Sequence, residues 1–146
     1  MPNTKPIGVA FSDPELVAGT TITGATITNS TIASGTLTNA SLSVDVAKPA
    51  AAGSTRADAT GLTASFSWVT GADATKGVVL PAPTAGRLVV LKNDDTANAV
   101  LKVYAPGSAK INGVAGSTAF SMAAKTACWF VAYDATDWFS VPLVAS

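Results

Sequence analysis

Apolar residues in this chain follow three patterns in succession. From Thr20 to Ser43 the large ones stand at Ile22, Ile27, Ile32, Leu37 and Leu42, always five apart. Five matches neither the helical period of 3.6 nor the strand period of two. An odd period in a flat strand would send successive Ile side chains to opposite faces, so the chain must bend or bulge once per unit. The units read TTITG, ATITN, STIAS, GTLTN and ASLSV, with a small residue two before each centre and turn-permitting Gly, Asn or Ser closing the first four. Five such units cannot bury their own column. The pattern predicts a short stalk over 20–44, β-helix-like or intertwined with other copies, whose Ile and Leu residues form an oligomer core.

Before it, residues 1–19 have no period. Pro2, Pro6 and Pro14 favour extended backbone, and Ile7, Val9 and Phe11 alternate briefly. This predicts an extended anchoring arm in which those three residues meet a partner. Residues 45–63, rich in Ala, Gly and Pro, read as a linker.

From residue 64 onward the signal is β throughout. Runs of Val, Leu and aromatic residues at 64–70, 77–80, 87–92, 99–104, 109–111, 119–122, 126–133 and 138–144 are divided by PAPTAG, NDDTAN, APGS, NGVAGS and YDATDW. The chain is therefore expected to be all-β, with a C-terminal β-sandwich or jelly-roll-like domain of about eight strands over 64–146. Two strands are apolar on both faces: Leu88 and Val90 against Val89 and Leu91, and Cys128 and Phe130 against Trp129, Val131 and Tyr133. A small antiparallel sandwich leaves one face of each strand wet. Two dry faces imply a neighbouring subunit or a cover of loops.

Composition sharpens this picture. Charged residues are 12% of the chain, about half the usual share. Such a surface suits a protein largely covered by neighbours. Nine basic residues balance nine acidic ones without clustering, which argues against nucleic acid as a partner. The opening residues lack the apolar core of a signal peptide, and no run approaches a membrane span, so the expectation is a protein that crosses no membrane by itself.

Candidate chemistry is sparse. The chain has no His and one cysteine, Cys128, in the apolar run TACWFVAY, where it reads as a small core residue. No phosphate-binding glycine motif is present. Asp94 and Asp95 in NDDTAN are carboxylates that Ca²⁺ could use, but a polar hairpin between the flanking strands explains them better. Asp134 and Asp137 fit a second turn. Among the tryptophans, Trp129 reads as core and Trp138 as the start of the closing strand, leaving Trp68 or Phe66 as an exposed aromatic platform. The residues imply no enzyme, no metal and no cofactor.

Two resemblances give these readings a direction. The small residue two before each Ile or Leu centre resembles pentapeptide-repeat solenoids, though the Asp or Asn usual just before the centre is missing. The repeat also resembles the Thr- and Gly-rich stalks of bacteriophage fibres and spikes. Farther on, Leu80-Pro81, Ala85-Gly86-Arg87, Leu91-Lys92-Asn93, Val103, Ile111-Asn112-Gly113, Phe130 to Asp134 and Asp137-Trp138 occur in an order and spacing that resemble a β-domain of bacteriophage virion proteins. That resemblance covers a little under half the chain. It implies a virion surface protein, oligomeric and often trimeric. The economy of arm, stalk and single body fits a capsid decoration (cement or head-fibre) protein. Such a protein would be made in the bacterial host cytoplasm and sit on the outer capsid surface, with the major capsid protein and itself, as a homotrimer, for partners. A tail-fibre, spike or baseplate protein with a carbohydrate-binding β-domain is the alternative.

Overall fold

Alternation of large apolar with polar or outward residues builds the body. The computed structural model of the protein describes residues 44–94 and 98–142. The arm residues Ile7, Val9 and Phe11 and the repeat residues Ile22, Ile27, Ile32, Leu37 and Leu42 lie outside them. The described residues are all-β: β1 (Val46–Ala47), β2 (Thr60–Gly61), β3 (Phe66–Val69), β4 (Gly77–Val79), β5 (Leu88–Asn93), β6 (Leu101–Tyr104), β7 (Lys110–Ile111), β8 (Val114–Ala115), β9 (Phe120–Met122), β10 (Ala127–Ala132) and β11 (Asp137–Pro142).

These strands form a seven-stranded sheet in the order β1-β3-β5-β10-β11-β7-β8 and a four-stranded sheet in the order β2-β4-β6-β9. Through β6 the chain alternates between the sheets, and each strand runs parallel to the previous one in its own sheet. Val46 aligns with Phe66 and Phe66 with Val90, while Thr60 aligns with Val78 and Val78 with Val103. This is a β-solenoid-like climb of about 20 residues per coil, the short end of solenoid periods. Antiparallel strands then close it: β9 on β6, and β10 on β5.

The core lies between the sheets. Val69, Val89, Leu91, Phe130 and Trp138 from one meet Val78, Leu101, Val103 and Met122 from the other, all 2% exposed or less. Phe120 packs edge-to-face on Phe130 with centroids 5.4 Å apart. At the coil's far end Asn93, fully buried, donates through Nδ2 to the carbonyls of Ala99 at 3.0 Å and Met122 at 3.2 Å. One side chain thus ties β5 to the chain entering β6 and to the end of β9.

Several expectations change here. Residues 45–63 are not merely a linker. They carry β1 and β2 and send Ala51 and Leu62 into the core. The segment after Asn93 is not a hairpin either, because β5 and β6 belong to different sheets and the chain crosses between them. By contrast, Ile111-Asn112-Gly113-Val114 is a tight hairpin with φ of 53° and 77° at its two central residues, the type I′ signature of Asn-Gly. Asn112 also reaches β11, donating to Ser140 Oγ at 2.7 Å and accepting from Ser140 N–H at 3.0 Å.

Candidate interaction face

Because side chains alternate across a strand, the inward set of each central strand fixes what points out. In β10 the inward residues are Cys128, Phe130 and Ala132, so Trp129 and Val131 face away from the core. This corrects the reading of Trp129 as core: it is 48% exposed. The physical reason lies in the neighbouring strand. Trp138 of β11 is fully buried and pairs with Ala132. With an indole and the Phe130 ring already filling the interior, only small residues fit at the other inward positions of β10.

The outward residues line up in register. Val46, Phe66, Val90, Trp129 and Val141 form one unbroken row across five strands. At about 4.8 Å between strands, that row is roughly 19 Å long. Beside it Leu88, Val131 and Phe139 form a second. Tyr133, 74% exposed, meets Phe139 edge-to-face with centroids 5.8 Å apart. On the other side Trp68, Lys92 and Ala127 form a third row. The two central rows contain no charged residue.

Charge gathers at the Trp68 margin. Lys92 Nζ lies 4.2 Å and Lys48 Nζ 5.8 Å from the Trp68 ring centroid, within cation–π range. Asp94 lies 3.6 Å from Lys92 Nζ, and the Trp68 indole N–H, followed by the two lysines, holds its carboxyl below the usual carboxylate range. A groove of about 220 Å³ runs beside this group, lined by Val46, Phe66, Trp68, Val90 and Lys92. A second hollow, about 260 Å³, lies between the β7–β8 hairpin and β9. Ile111, Val114 and Phe120 line it, with no ionisable side chain.

No family model and no curated relative matches the chain. The sequence-predicted platform residues Phe66 and Trp68 are both exposed and stand two residues apart on the outward side of β3, as one part of a wider face. The two-sided apolar pattern of ACWFVAY already set Trp129, Val131 and Tyr133 on one side of the strand, but the reading of Trp129 as core hid it as a member of this face, and nothing in the sequence marked Phe139.

The other candidates do local work. Asp134 accepts from the N–H groups of Thr136 and Asp137 and from the Thr136 hydroxyl, closing the β10–β11 turn. Those bonds, the Thr136 N–H first, hold its carboxyl below the ordinary range. Asp137 lies 2.9 Å from the same Thr136 hydroxyl and shares its one proton with Asp134. Cys128 is buried, and desolvation pushes its thiol up to about 11, so it stays protonated at neutral pH. Among the described residues no three His, Cys, Asp or Glu side chains are grouped to hold a metal.

Proposed function

We propose that this is a non-enzymatic assembly protein, acting as a homo-oligomer, and that its assembly is a bacteriophage capsid. The observation that carries the first half is the pair of uncharged rows across the outer face of the seven-stranded sheet. Monomeric proteins rarely expose apolar patches beyond about 300–600 Å², and larger ones mark interaction sites. A sheet with apolar residues on both sides is built as an inner layer. The capsid half rests on the resemblance of 77–141 to virion β-domains and on the arm and repeat that precede the body. In this reading Ile7, Val9 and Phe11 anchor each copy on the major capsid protein. Ile22, Ile27, Ile32, Leu37 and Leu42 join copies, and several arms per oligomer give avidity without a tight single contact.

The deciding experiment is immunogold labelling of intact phage particles with antibody raised against the full chain. Label over the head supports decoration of the capsid. Label confined to the tail, or no label, rejects it. One observation favours a second reading: Trp129 is half-exposed, and an exposed indole suits stacking against sugar rings, as a fibre or spike that binds glycans would need. Tail label would favour that alternative.

A further inference from the structure

We infer that the outer face of the seven-stranded sheet is covered by a second copy of this chain, sheet against sheet. The inference rests on the reading of the protein as an assembly module and adds which surface joins the copies.

Area is the first argument. Exposed fractions of 37–74% on Phe66, Trp68, Trp129, Tyr133 and Phe139 leave about 500 Å² of aromatic surface, taking about 200 Å² for a fully exposed ring. Val46, Leu88 and Val141, also exposed, with the half-buried Val90 and Val131, bring the face to the roughly 800 Å² that each partner of a standard interface contributes. One face therefore offers the area that a standard pair buries on each side.

Shape and chemistry select the occupant. Five strands in register make a broad surface whose knobs are side-chain rows, and another sheet at about 10 Å is the partner that interdigitates with such rows. A foreign partner chosen by charge would need charged groups in the centre, yet Lys92 and Asp94 stand at one margin, already engaged with each other and with Trp68. Interfaces between identical chains are the ones whose centres run most apolar. Covering the face would also give β5 and β10 the second dry side that their residue pattern implies. The layers would then run four-stranded, seven-stranded, seven-stranded, four-stranded.

The test is the mass of the full chain in solution, by sedimentation velocity at micromolar concentration. Native protein is expected as two chains or more. The double variant Val90→Glu, Trp129→Glu, which places like charges at the centre of each face, should sediment with a lower mass. Val114→Glu, an exposed position on the β7–β8 hairpin outside the face, should keep the native mass. Native protein at the mass of one chain overturns the inference, as does a folded double variant with the native mass. Should the double variant fail to fold, acrylamide quenching of the native chain decides. A covered face shields Trp68 and Trp129 until dilution releases them, whereas full quenching of two of the three tryptophans at every concentration overturns the inference. A monomer that still labels phage heads would sink this interface and leave the capsid reading standing. A multimer that labels nothing would do the opposite.

Discussion

Asn93 offers the sharpest test of the fold. It is fully buried at the end of β5, where the chain leaves one sheet for the other, and its amide donates to the carbonyls of Ala99 and Met122. Replacing it by Leu keeps the volume but withdraws one donor from each carbonyl. A buried polar group left short costs about 1–3 kcal/mol; the buried bond to the Met122 carbonyl carries that cost and the part-buried one to Ala99 adds less, for about 2 kcal/mol in all. In a domain of this size that is a fall of about 8–16 °C in melting temperature. Asn93→Asp separates the hydrogen-bond argument from mere packing. The carboxylate would face two carbonyl oxygens, so its folded pKa must rise above the unfolded value of about 3.9. A raised pKa means the variant holds its stability below pH 4 and loses it as pH climbs toward the folded pKa, at about 1.4 kcal/mol per pH unit. A rise of two units would add about 2.7 kcal/mol to the deficit at pH 7. Urea unfolding of the full chain at pH 4 and pH 7, at one fixed protein concentration because assembly shifts apparent stability, reads both effects. An Asn93→Asp deficit equal at the two pH values, or an Asn93→Leu midpoint indistinguishable from native, would refute the bridging role.

Two further outcomes follow from the same packing. A Cβ on Gly77 would stand 2.7 Å from the Lys102 carbonyl oxygen and 2.7 Å from the Tyr104 ring, so Gly77→Ala should cost about 1–3 kcal/mol in the same urea assay. Cys128, buried and with its thiol raised to about 11, should resist a thiol reagent at pH 7.5 in native protein and react stoichiometrically in denaturant; prompt native labelling would contradict its placement.

Much of the body was legible because its strands announce themselves. Eight runs of Val, Leu and aromatic residues bounded by turn formers correspond to β3, β4, β5, β6, β7, β9, β10 and β11, with ends shifted by only a residue or two. The strands that escaped, β1, β2 and β8, have two residues each, too few to carry a period. Their path escaped for a different reason. A connection as short as the one after Asn93 normally returns antiparallel beside its predecessor. Here it delivers the chain to the opposite sheet, and the parallel neighbour comes one coil later, with no shared motif between Phe66 and Val90 to mark them as one rung. Asn-Gly at 112–113 was readable because only a turn with two positive φ values uses that pair so readily.

Which side of β10 points inward was not decidable from its own residues, and this connects fold to function. Size alone would put Trp129 inside. What reverses it is Trp138, which pairs with Ala132 from the neighbouring strand and takes the interior volume first. Once Trp138 and Phe130 occupy the core, Trp129, Val131 and Tyr133 must lie outside, Trp129 in line with Phe66, Val90 and Val141 and Val131 with Leu88 and Phe139. The low charge of the chain then has a structural location: the side of the sheet that an ordinary monomer would stud with Lys and Glu carries Val, Trp and Phe in its two central rows. Competition for one buried position thus places a second apolar surface on the outside.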